Sequence, residues 1–130
     1  MAGAGTSSPQ VIAVVVTHRP DIRATARLLA ALAPQVAHVV VVDNGSPAET
    51  VTALREALST TTGELVSLAE NVGIAAAQNV GITRARAGGA THILLSDQDS
   101  LPARATWWRS FSVAWRAPPL QGAASVPSVR

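Results

Sequence analysis

The sequence predicts an α/β domain, a Rossmann-like parallel sheet built in the order β-α-β-α-β-α-β, and three observations predict it. Short apolar runs rich in β-branched residues recur along the chain: VIAVVV at 11–16, VVVV at 39–42, ELVSL at 64–68 and HILL at 92–95. Stretches with helical spacing separate them. Each run also breaks off into a polar cluster: Thr17-His18-Arg19-Pro20, Asp43-Asn44-Gly45-Ser46, Glu70-Asn71, and Ser96-Asp97-Gln98-Asp99-Ser100. Right-handed crossovers make such strands parallel, so all four clusters converge at one edge of the sheet. Open α/β sheets bind ligands in the crevice beyond the carboxyl ends of their strands.

The run at 11–16 is continuous and apolar, as expected of a strand buried on both faces. Residues 21–33 follow as a helix, with Ile22, Ala26, Leu29, Ala30 and Ala33 at helical spacing and Pro34 as the stop. The second strand covers 39–42. Ser46-Pro47-Ala48-Glu49 then has the form of a capping box with proline at the first helical position, opening a helix to about Ser59. A third strand covers 65–68, a third helix 74–87 ends at Gly88-Gly89, and a fourth strand covers 91–95.

A chain of 130 residues suits one domain with a core of its own. Hydrophobic residues make up 48% and charged residues 14%, which argues against disorder. There is no cysteine, which excludes disulfides, zinc–thiolate clusters and thiol nucleophiles. The first ten residues carry neither a positive charge nor an apolar core, unlike a secretory signal. The apolar runs fall far short of the ~20 residues of a spanning helix, so the expected location is cytoplasmic. No basic stripe in the body suggests nucleic-acid binding.

Net charge is +2 and unevenly spread. Arg104, Arg109, Arg116 and Arg130 lie after residue 100 with no acid among them, and all four aromatics (Trp107, Trp108, Phe111, Trp115) lie after 106. That shift divides the chain into a flexible N-terminus at 1–9, an α/β domain at 10–102 and a divergent tail at 103–130.

Asp97 and Asp99 stand one residue apart behind an apolar strand. Two carboxylates so placed can share Mg²⁺ or Mn²⁺ and bridge it to a diphosphate; the bland alternative is a solvated turn with Asp97 capping a helix. Asp43 could accept a hydrogen bond from the N3–H of uracil or thymine, or belong to a turn in which Asn44-Gly45-Ser46 is structural. His18 has no identifiable partner, Arg19 could face a phosphate or be ordinary surface, and His38 and His92 read as structural. Residues 71–79 join strand to helix with small residues that would let the backbone approach a ligand, or are the alanines of a helix packed against a sheet; they lack the G-x-G-x-x-G fingerprint.

Together these segments resemble the family 2 glycosyltransferases with a GT-A fold, most closely the rhamnosyltransferase-like branch. The matching pieces are Val15-Val16-Thr17 with Pro20, Val41 to Ser46, Asn71-Val72-Gly73-Ile74-Ala75 with Asn79 and Gly81, and Leu95 to Ser100, in family order across about residues 10–102. The resemblance implies an inverting enzyme whose donor is a nucleoside-diphosphate sugar such as dTDP-L-rhamnose. It implies that Thr17 and Asp43 hold the base, Asn79 lines the donor pocket, Asp97 lies near ribose and diphosphate, and Asp99 binds the metal with Asp97.

The family's general base is a carboxylate well downstream of the metal motif, and no Asp or Glu follows Asp99. The expectation is therefore a donor-binding part, truncated and inactive alone. The alternative is a non-catalytic nucleotide-binding or interaction module that needs a partner chain. A different α/β protein, response-regulator-like or cobalt-corrin-type, is the remaining alternative; His18-Arg19 stands where a response regulator has an acidic pair, which counts against that one. The tail reads as a frameshifted or truncated segment, as a core-covering helix, or as an interfacial membrane helix with Trp107, Trp108, Phe111 and Trp115 on one face. Residues 117–130 are expected to be disordered.

Overall fold

The computed structural model describes residues 10–98 and 115–116. Four parallel strands, β1 (Val11–Thr17), β2 (His38–Asn44), β3 (Gly63–Leu68) and β4 (His92–Asp97), alternate with helices α1 (Ile22–Leu32), α2 (Ala48–Leu58) and α3 (Ile74–Ala87). The two-residue strand β5 (Trp115–Arg116) closes the order β3-β2-β1-β4-β5. The predicted β-α-β-α-β-α-β arrangement is the one observed.

The strands split their side chains between two cores. Val11, Ala13 and Val15 join Val39 and Val41 beneath Leu28, Leu29 and Leu32 of α1 and Leu58 of α2. Ile12, Val14 and Val16 join Val40 and Val42 beneath Ala77 and Ala85 of α3. Period-2 alternation explains the split, and burial on both faces explains why β1 and β2 read as unbroken apolar runs. Each valine so covered is worth about 1.5–3 kcal/mol against exposure.

Helix α1 begins at Asp21, whose Oδ1 accepts the Ala24 amide at 3.1 Å. Its buried stripe is Thr25, Leu28, Leu29 and Leu32, whereas Ala30 is exposed. The helix is thus rotated from the predicted stripe, because leucines remove more apolar area from water than alanines do. It gives way at Ala33–Gln35 to a 3₁₀ turn holding Pro34.

Helix α2 departs from expectation at its start. Its N-cap is Pro47, with no side-chain cap, and Ser46 makes no capping bond. Its hydroxyl is taken by a carboxylate instead, as described below. Helix α3 lies close on the sheet at Gly81, where a Cβ would stand 2.3 Å from Val14 Cγ1.

Trp115 and Arg116 pair antiparallel with Ile93 and His92 of β4. Trp115 thus sits in a strand, not on the expected helical face. Trp107, Trp108 and Phe111, and the disorder expected of 117–130, lie outside the described residues. No helix among the described residues is long and apolar enough to cross a membrane.

Candidate functional site

From β1 the chain crosses to β2 on one side, then to β3, and returns through α3 to β4 on the other side of β1. The carboxyl ends of β1 and β4 therefore flank a topological switch point, where sheets of this kind take their ligands. A cleft of about 560 Å³ opens there, lined by Val16, Thr17, His18, Asn44, Asn71, Gly73, Ile74 and Gln98. Its size is that of a small-molecule site.

Beneath the cleft lies a buried carboxylate. Thr17 and Asp43 are register partners across β1 and β2, and both are 0% exposed. Thr17 Oγ1 donates to Asp43 Oδ1 at 2.8 Å, and Ser46 Oγ donates to the same oxygen at 2.7 Å. The Ser46 amide donates to Oδ2 at 2.8 Å. A buried charge needs such partners, and charge-assisted bonds outcompete a helix cap for the serine hydroxyl. Ser46 Oγ also accepts the Arg19 amide at 2.8 Å. Arg19 is held with φ 48°, a left-handed conformation uncommon outside glycine.

His18 is fixed from two sides. Gln98, just past β4, accepts the His18 amide at 2.7 Å and donates through Nε2 to the His18 carbonyl at 3.4 Å. The ring nitrogen Nδ1 lies 2.8 Å from the Asn44 carbonyl oxygen. Residues from β4 and β2 thus clasp the turn after β1.

A pair of asparagines builds the third wall. Asn44 Nδ2 donates to Asn71 Oδ1 at 3.1 Å, and Asn44 Oδ1 accepts the Val72 amide at 2.9 Å. Asn71 Oδ1 also accepts the Gly73 amide at 2.8 Å. Gly45, at φ 85°, lets the loop approach so closely that a Cβ would lie 2.5 Å from the Asn71 nitrogen. Gly73, at φ 90°, is the N-cap of α3 and offers no side chain to its first turn. The opening amides of a 14-residue helix are left facing outward where Gly73 and Ile74 line the cleft.

The expected site residues are only partly brought together. Thr17 lines the cleft, and Asp43 lies under it with both oxygens engaged. Asn79 is half-buried in α3 and is not among the lining residues. Asp97 ends β4 in register with Val16, and Asp99 lies outside the described residues. Among the described residues no three His, Asp or Glu side chains cluster as a metal site would. His38 pairs with Glu64 at 3.2 Å and His92 with Thr91, in keeping with structural roles.

Ser46, Gln98 and the partner of His18 were not legible in advance. Ser46 had a competing local explanation as a cap, and His18 bonds to a backbone carbonyl 26 residues away, which no side-chain pattern marks. The one available signal was Gln98, polar and adjacent to the end of an apolar strand.

Comparison with known proteins matches residues 11–124 to the family described as Glycosyl transferase family 2. The match continues past residue 102, where the resemblance was expected to stop. Comparison with curated protein sequences yields no significant match. Among solved structures, the chain is similar to the mannosyltransferase PcManGT from Pyrobaculum calidifontis in complex with GDP-Man and Mn²⁺, at 27% identity and TM-score 0.64. The alignment covers 77% of this chain and 30% of that one. S. aureus TarS (residues 1–349) shares the fold at 23% identity and TM-score 0.58, over 71% of this chain and 28% of its own; in complex with UDP-GlcNAc it aligns at 24% identity and TM-score 0.58, over 69% and 26%. The chain thus spans about 30% of the length of the mannosyltransferase it resembles. A family match through residues 11–124, beside a fold shared with the mannosyltransferase at TM-score 0.64, shows that the chain belongs to glycosyl transferase family 2.

Proposed function

We propose that this chain binds a nucleoside-diphosphate sugar in the cleft at the β1–β4 switch point and serves as the donor-binding part of an inverting glycosyltransferase. The observation that carries the reading is the convergence on one cleft of the clasped His18 turn, the Asn44–Asn71 wall and the open N-terminus of α3. The helix start favours a diphosphate. Thr17 and Asp43 are fully buried, so they set the floor that fixes the turn; direct contact with a base requires the Ser46 bonds to open.

Asp97 and Asp99 are the residues to hold Mg²⁺ or Mn²⁺. Asp97 ends the strand beside the crevice, and the paired carboxylates offer the hard oxygen donors these ions prefer. Bound there, the ion would offset the charge that builds on the departing diphosphate. The finer reading of the donor as dTDP-L-rhamnose rests on the resemblance to the rhamnosyl branch; GDP-Man and UDP-GlcNAc in the solved relatives support a nucleotide sugar in general.

Transfer further requires an acceptor hydroxyl to attack the anomeric carbon, the bond to the phosphate oxygen to break, and a base to take the hydroxyl proton. No Asp or Glu follows Asp99. The chain spans about 30% of the solved mannosyltransferase's length, and this reading assigns it donor binding alone; the second reading is a non-catalytic nucleotide-binding module that needs a partner chain.

Calorimetric titration of UDP and dTDP into the chain, with and without Mn²⁺ and beside Asp99→Ala, tests the proposal. The expected result is binding strengthened by Mn²⁺ in the wild type and insensitive to it in the variant. A folded protein that binds neither of these nor GDP would overturn the reading.

A further inference from the structure

The carboxamide of Gln98 is bound to main chain through both of its polar atoms. Oε1 accepts the His18 amide at 2.7 Å, and Nε2 donates to the His18 carbonyl at 3.4 Å. A side-chain amide carries the same donor and acceptor as a peptide group, so Gln98 extends the joining of β4 to β1 past their last register pair, Asp97 with Val16. Gln98 stands between Asp97 and Asp99 in the sequence, yet its own bonds run to the turn after β1, 80 residues away along the chain.

That turn depends on its surroundings. Arg19 has φ 48°, and a residue other than glycine keeps that conformation where neighbouring bonds over-determine it. On the β2 side Ser46 Oγ accepts the Arg19 amide, and the Asn44 carbonyl oxygen meets the His18 ring. On the β4 side the hold comes from Gln98. Its two bonds are exposed to water, which competes for the same groups. Their net contribution is therefore modest, and losing them leaves the turn divided between shapes without unfolding the domain. A ligand that needs one shape then binds more weakly, by the fraction of molecules that hold it.

We propose that Gln98 is a positioning residue for the nucleotide, acting through the main chain of the turn after β1 and independently of any divalent ion held by the carboxylates on either side of it. This rests on the nucleotide-binding reading above. The residue between the two carboxylates thus serves a different part of the cleft from theirs: Asp97 and Asp99 answer to the ion, and Gln98 to the shape of the turn.

The test separates the two by omitting the ion. Gln98→Met keeps the length of the side chain and removes both bonds, and Gln98→Asn keeps a carboxamide that is one methylene shorter. Thermal melts, metal-free amide hydrogen exchange, and titrations of UDP, dTDP and GDP with and without Mn²⁺ are run on the full chain. Both variants are expected to melt like the wild type and to exchange the His18 amide faster, while the Ser46 amide, held by Asp43, is unchanged. They are expected to bind the nucleotide that the wild type prefers about fivefold more weakly. That deficit is the same with and without Mn²⁺, whereas Asp99→Ala loses affinity only when Mn²⁺ is present.

A His18 amide that exchanges alike in wild type and variants overturns the proposal, as does a nucleotide affinity unchanged in the absence of Mn²⁺. A deficit confined to Mn²⁺ also sinks it, because Gln98 would then act on the ion. If one variant fails to fold, the other carries the comparison; two unfolded variants would make Gln98 a structural residue and end the proposal. If the wild type binds none of the three nucleotides, the donor-site reading fails first and this inference with it.

Discussion

At Asp43 the sequence placed a carboxylate at the end of a strand, and the fold turned it inward. Three donors from Thr17 and Ser46 converge on it, and neither Asp43 nor Thr17 is exposed. Hydrogen bonds to a charged group contribute about 1.5–3 kcal/mol, so Thr17→Val, nearly unchanged in volume, is expected to lower stability by about 2 kcal/mol in urea denaturation. Ser46→Ala removes a bond to the same oxygen and leaves the exposed Arg19 amide to water, so it is expected to cost a similar amount. A neutral Thr17→Val would mean that the cluster contributes nothing to the fold. The chemistry of this corner was legible only in part: an aspartate after an apolar run marks a strand end, but inward or outward orientation depends on which neighbour reaches it. Ser46 lies three residues on and is equally suited to cap a helix. The stronger acceptor won it, a competition that spacing alone does not decide.

Elements were far more legible than residues. Strand and helix positions follow from periodicity, which depends on the burial of many side chains at once, so β1, β2, α3 and the parallel order came through within a few residues. The α1 stripe shows the limit: apolar spacing admitted a ring of alanines, and the leucines took the core. Glycine in α3 illustrates how packing overrides propensity. Gly81→Ala gains up to about 1 kcal/mol in helix propensity, yet its Cβ would meet Val14 Cγ1 at 2.3 Å and Val42 Cγ2 at 3.1 Å, both in the closed core. Overpacking costs about 1–3 kcal/mol, so the variant is expected to be the less stable. At the start of the same helix Gly73 has nothing within 4 Å of an added Cβ, but its φ of 90° is unfavourable to any side chain. Gly73→Ala should therefore also destabilise, for backbone reasons alone, at about 1–2 kcal/mol. Thermal melts of both variants against Gly88→Ala, which meets only ordinary contacts, separate the two causes: Gly88→Ala should be near neutral.

At the scale of the whole molecule, helices cover both faces of the sheet and the cleft at the switch point is lined by residues at or just past the strand ends, and the proposed binding of a nucleotide sugar makes different demands from its transfer. The two requirements are separable. In the proposed reading, binding a nucleotide calls on the switch-point crevice, the α3 start and the Asp97–Asp99 pair. Moving a glycosyl group also needs an acceptor held in line and a base to take its proton. A positioned base contributes roughly 10²–10⁴-fold, and holding the acceptor in place contributes an independent effective-concentration advantage. No Asp or Glu side chain follows Asp99 to act as that base, so the 130-residue chain is expected to bind a nucleotide sugar and not to transfer it. Incubation with UDP- and dTDP-sugars, Mn²⁺ and a panel of hydroxyl acceptors, followed by nucleotide release and product formation, checks this. Sugar transfer at ordinary enzymatic turnover, of order 1 s⁻¹ or above, would show that a base other than a downstream carboxylate operates in this chain, and the cleft-lining His18 would be the first residue to substitute.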